Sequence, residues 1–145
     1  MIEKIRIKKD TNLPINIGDV YQIKNQLYVI INILNVATIS ENGKQRLMAE
    51  CLGQKYRSEN KSSQYTSTNV EVTYGLNEVD EISFVGEFIF DSAAEIWVQV
   101  TAILSTILEK EQIKIKYEVT PVIEWGIKDV EKAILRYRKK HMHLL

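Results

Sequence analysis

The stretch SENGKQ sets Asn42 and Gly43 between two long runs rich in strand-forming residues, and no feature of the chain constrains its fold more. Asn-Gly accepts positive φ at both central positions of a two-residue turn, and the twist of that turn matches the twist of the strands it joins. The run 27–39 before it is dense in β-branched residues, and QRLMAECLGQKY after it supplies an antiparallel return. A long hairpin is the first expectation.

A second reversal at Lys24, Asn25 and Gln26 joins that hairpin to a short strand opened by Gly18 and Asp19. In rhythm, IGDVYQIKNQLYVI resembles the opening of small SH3-like barrels, a likeness that carries no function. Period-two alternation recurs elsewhere. Ile5 and Ile7 fall on one face and Lys4, Arg6 and Lys8 on the other; Ile113, Ile115, Tyr117 and Val119 oppose Lys114, Lys116 and Glu118. TNVEVTYG and EISFVGEFIFD alternate likewise, the second placing Ile82, Phe84, Phe88 and Phe90 to one side around Gly86. Ahead of these two stretches, 57–69 holds no aliphatic residue and reads as an exposed polar loop.

Two segments read as helices. In DSAAEIWVQVTAILSTILEKE, Ile96, Trp97, Val100, Ile103, Leu104, Ile107 and Leu108 share one helical stripe, and Ser92 with Glu95 has the spacing of a capping box. That predicts a core helix laid on a sheet; Glu95 and Gln99 and the shortness of its apolar run argue against a membrane span. At the C-terminal end, 127–145 places Ile127, Val130, Ile134, Tyr137, His141 and Leu144 on one face. Lys128, Lys132, Arg136, Lys139, Lys140 and His143 lie opposite. The expected fold is therefore α+β: one domain over 1–145, with a mainly antiparallel sheet of about six or seven strands, one long core helix and a C-terminal amphipathic helix. No sequence repeat is visible.

Composition narrows function. Nineteen Lys and Arg balance nineteen Asp and Glu, which speaks against a wholly basic polyanion binder and leaves room only for a local contact. Cys51 is the one cysteine, so no intramolecular disulfide forms and a reducing compartment fits. MIEKIRIKKD has the character of a strand and not of a signal peptide or anchor. Twenty Ile against six Ala suit an AT-rich genome, that of a low-GC bacterium or its phages. The expected location is cytoplasmic or virion-associated.

No nucleophile, acid-base pair, phosphate loop or metal signature stands out, so no catalytic residue, metal ligand or cofactor is assigned and the chain is expected not to be an enzyme. The acidic run between Lys61 and Lys110 offers Asp80, Glu87 and Asp91 as a hypothetical divalent-metal cluster, but outward strand positions and helix-start acids explain them more simply. His141 and His143, two apart on a helix, point too far apart to share one ion. What remains is the basic end. Lys132, Arg136, Lys139 and Lys140 are the expected partner-binding residues. The leading functional expectation is a non-catalytic binding or assembly module of phage or mobile-element type, acting through protein contacts, self-association included. The alternative is nucleic-acid binding through the last helix, and a small metal-dependent hydrolase or nuclease comes third.

Overall fold

The computed structural model describes residues 1–10 and 12–142. These hold eight strands, all paired antiparallel in two four-stranded sheets, and a single α-helix. The chain divides into two compact units: Met1–Asn60 together with the chain from Glu124, and Lys61–Ile123.

The first unit contains β1 (Ile2–Asp10), β2 (Val20–Ile23), β3 (Gln26–Glu41), β4 (Lys44–Lys55) and α1 (Ile127–Met142), with sheet order β1-β4-β3-β2. Its tight turns follow from local chemistry. Asn42 and Gly43 sit at φ 52° and 76°, and Lys24 and Asn25 at φ 49° and 65°, the left-handed pair that a two-residue hairpin turn demands. One face of this sheet packs Ile5, Ile7, Tyr28, Ile30, Ala49 and Cys51 together. On the other face, Val29 and Leu52 are also fully buried, and α1 packs against β2 and β3. Around the first half of β3 both faces of the sheet are thus covered, which is why Tyr28, Val29, Ile30 and Ile31 are buried in succession, while 35–38 are exposed.

The second unit contains β5 (Asn69–Gly75), β6 (Phe88–Asp91), β7 (Ile96–Glu109) and β8 (Gln112–Pro121), in the order β5-β8-β7-β6. Short 3₁₀ turns occupy Ser62–Gln64 and Leu76–Glu81. Tyr74, Ile96, Val98, Val100, Ile115, Tyr117 and Val119 form its core on one face of the sheet. At the centre, Tyr74 and Tyr117 join their hydroxyls at 2.8 Å, and the Tyr117 hydroxyl accepts the Ser83 N–H at 3.0 Å.

The expected α+β fold with a long core helix is overturned here. The segment read as that helix is strand β7, so the protein is mainly β, with two sheets in place of one and α1 as its single helix among the described residues. Half of the fourteen residues of β7 are β-branched, and Ile96, Val98 and Val100 are buried while Thr101 is exposed, a period of two. The helical stripe left out Val98, which is completely buried. In a run so uniformly apolar, a helical and an alternating pattern both find matches. Nor does the sequence around Ser92 cap a helix. Asp91 accepts the N–H groups of Ala93 at 3.2 Å and Ala94 at 3.4 Å, and Glu95 takes φ 57°, which turns β6 into β7. Phe84 and Phe90, expected on one side with Ile82 and Phe88, are exposed while those two are half-buried; β6 begins only at Phe88.

The two units share one connectivity. In each, the first strand pairs with the last, a short four-residue second strand edges a long third strand, and a two-residue turn leads into the fourth. The third strands are bulged alike, at Ile30/Asn32 and Ile33/Asn35 in one unit and at Val100/Ala102 and Ile103/Ser105 in the other. Gly18 donates to the Ile30 carbonyl and Ile30 to that of Asp19; Gly86 donates to the Val100 carbonyl and Val100 to that of Glu87. Both glycines hold positive φ, 94° and 98°, which favours the absence of a Cβ. An internal structural repeat is therefore present where the sequence shows none.

Candidate functional site

The site lies within the first unit, and its construction starts at Gln54. This buried amide donates through Nε2 to the Trp125 carbonyl at 3.0 Å and accepts the Trp125 N–H through Oε1 at 2.7 Å. Both polar ends of the side chain are thereby satisfied, and the segment entering α1 is clamped to β4. The Trp125 ring lies over Gly18, where a Cβ would meet its Cη2 at 3.5 Å. Gly126 then accepts the first helical N–H groups, from Asp129 and Val130, at 3.1 Å each. Val130, Ala133 and Ile134 bury the inner face of α1, while Ile127, expected on that face, is 77% exposed at its start.

This docking leaves a cavity of about 720 Å³ between α1 and the segment that leads into and along β2. Lys9, Arg136 and Lys140 contribute positive charge to its wall, against the single carboxylate of Asp19. That carboxylate is engaged at home, accepting the Asn16 N–H at 2.8 Å. Leu13, Pro14, Ile17, Val20 and Ala133 add apolar surface to a lining that Asn16 and Gln22 keep partly polar. Tyr21 stands beneath the Lys9 ammonium, 5.2 Å from the ring centroid, a cation–π contact. Burial first, and then the charge of Asp19, pushes the Tyr21 phenol up to about 12, so it stays a neutral hydroxyl. On the helix side, the His141 ring stacks on Tyr137 at 4.1 Å, and its Nδ1 lies 2.9 Å from the Tyr137 carbonyl. A carbonyl can only accept, so Nδ1 carries the proton and Nε2 is left for other contacts.

Lys132, Arg136, Lys139 and Lys140 are all exposed on α1, and among the described residues none is held in an ion pair. The structure does not keep them together. Arg136 and Lys140 line the cavity; Lys132 and Lys139 do not. Lys139, Lys140 and His141 also occupy the last turn, where cations favour the helix dipole. Lys9, Tyr21 and Asp19 were not recognisable as site residues from sequence, since only the fold brings β1 and β2 against a helix more than a hundred residues away.

The other candidates separate. Glu87 accepts the Phe84 N–H at 3.0 Å, and Asp91 accepts the Tyr65 hydroxyl at 2.9 Å besides its two turn amides. Among the described residues, no three His, Cys, Asp or Glu side chains gather as a metal-binding group. His143 lies outside the described residues. Cys51 is fully buried, and burial raises its thiol above the usual range. No helix among the described residues is long and apolar enough to cross a membrane. Comparison with protein-family models, curated proteins and solved structures finds no match for this chain.

Proposed function

We propose that the protein is a non-catalytic binding module whose first unit docks an acidic, partly apolar segment of another protein in the cavity beside α1. The observation that supports this reading is the cavity lining itself, where Lys9, Arg136 and Lys140 stand among polar and apolar side chains and the one carboxylate, that of Asp19, already accepts a backbone N–H. An acidic side chain would be held by the cations and its apolar neighbours by Leu13, Ile17, Val20 and Ala133. The same geometry favours a protein over a nucleic acid. A phosphate backbone calls for a row of cations on an open face, whereas here, of Lys132, Arg136, Lys139 and Lys140, only Arg136 and Lys140 line the concave site.

The test is fluorescence anisotropy with a labelled peptide of alternating Glu and Leu and with a polythymidine strand of equal charge. Replacing Lys9, Arg136 and Lys140 together by Gln should weaken peptide binding by at least roughly tenfold, while the Lys132→Gln, Lys139→Gln double variant stays within about threefold. Equal losses from both variants, or tighter binding of the nucleic acid, would overturn the reading. Fold stability should change by less than about 0.5 kcal/mol in the double variant, whose charges are exposed, and by about 1 kcal/mol in the triple variant, which loses the contact of half-buried Lys9 with Tyr21.

A further inference from the structure

We propose that the free edge of β7 in the second unit pairs with the same edge of a second copy of this chain. β6 covers β7 only over 96–99, and Glu87 and Gly86 complete that edge at Val100. From 101 to 109, among the described residues, β7 pairs with β8 alone. Its other edge is open, and Ile103, Leu104, Ile107 and Leu108 are 42%, 50%, 50% and 67% exposed. Long apolar edges left without a charge or a cover are the places where sheets add a strand.

The occupant is indicated by self-complementarity. From Ile96 to Leu108 the strand carries no charged residue, so its edge offers nothing to attract a charged partner strand and nothing to repel its own copy. Beyond the second bulge, 105–109 runs in regular register with β8. In a hairpin closed by a two-residue turn the flanking pair exchanges its hydrogen bonds, so Glu109 and Ile107 direct their backbone groups to β8. Thr106 and Leu108 direct theirs outward. A two-fold axis at Ile107 sets Thr106 of each copy opposite Leu108 of the other, so all four outward groups find partners. Ile107 then meets Ile107, and Glu109 meets Ser105; faces, backbone groups and charge agree in this one register. The corresponding strand of the first unit, β3, exposes one large aliphatic residue past its bulges, Val36.

Sedimentation velocity on the full chain over a concentration series tests the inference. The expected result is a monomer that gives way to a dimer and no larger species, since two-fold pairing uses up the edge. Ile107→Lys places two ammonium groups face to face and should move the transition at least roughly tenfold higher in concentration. Ile107→Cys provides a second reading. Cys51 is buried, and a non-hydrogen-bonded antiparallel pair brings two Cβ atoms within disulfide reach, so mild oxidation should yield a 107–107 cross-linked dimer. A parent chain that stays monomeric throughout, open-ended growth, or failure of Ile107→Cys to cross-link at concentrations where the parent dimerises would overturn it.

Discussion

The two units of this protein follow one connectivity and expose opposite kinds of surface. In the first, both faces of the sheet are covered around the start of β3, and the open part of the sheet is laced with ion pairs, Lys4 to Glu50 at 3.0 Å and Lys8 to Glu41 at 2.9 Å among them. In the second, one face builds the core and the far half of β7 leaves four large aliphatic side chains in the open. Turns, a positive-φ glycine and a pair of bulges are enough to fix the strand order twice. What each unit offers to a partner is decided by residues that the shared frame leaves unspecified: α1 and its cations on one, an uncharged edge on the other.

The comparison is sharpest where the repeats differ in their cores. Pairing places Gly53 opposite Ile30 in the first unit and Val119 opposite Val100 in the second, at the same point before the first bulge. A Cβ on Gly53 would lie 2.8 Å from Ile5 Cδ1 and 3.2 Å from Tyr28 Cβ. Gly53→Val, which installs the second unit's residue, should therefore cost up to about 3 kcal/mol, read as a lowered denaturation midpoint. A neutral outcome would show that the two cores are interchangeable here.

A smaller effect is expected from the second unit's polar centre. Tyr117→Phe removes the acceptor for the Ser83 N–H and one partner of the Tyr74 hydroxyl, at a cost of about 1–2 kcal/mol. Hydrogen exchange should quicken in β5 and β8 and stay unchanged in β1 to β4. Exchange that rises equally in both units would mean that they unfold as one and share a single core.

The smallest effect separates the units by acid. Three carboxylates of the first unit are held below the usual glutamate range: Glu3 by its hydrogen bond from Lys55, Glu41 by Lys8, and Glu50 by Asn35 and then Lys4. In the second unit Glu95 is lowered by Lys61. A depressed folded pKa adds stability that is present above the unfolded value and lost as pH falls through the folded one. The first unit should thus lose protection before the second when pH is lowered below the ordinary carboxylate range. These groups are well solvated, so the loss is modest. Residue-resolved amide exchange at descending pH measures it, and the reverse order would contradict the assignment.

How much of this is legible in the sequence depends on the range of the interaction. Asn42-Gly43 and Lys24-Asn25 announce their turns because the chemistry is confined to two residues. Lys110 and Glu111 take the same left-handed pair, at φ 48° and 65°, with residues that give no such signal, so the β7–β8 hairpin went unseen and a helix was read in its place. The repeat is hidden because it rests on hydrogen bonds from Gly18 and Gly86 and on bulge spacing, with little side-chain identity. On α1, positions four apart advance about 40° around the axis. The stripe Lys132, Arg136, Lys140 therefore drifts toward the cavity, and its last two members reach it. That drift was readable; what it drifts toward was not, because Lys9 and Tyr21 come from the opposite end of the chain.

One connectivity thus carries two separate surfaces, and in the proposed function the acidic partner is taken by the first unit alone. Backbone amide shifts recorded while the Glu-Leu peptide is added to the full chain test it most directly. Shifts should move at Lys9, along 13–22 and along 133–141, and stay still along 101–109 of β7. Shifts centred on β7, or spread evenly over the exposed cations of both units, would contradict it.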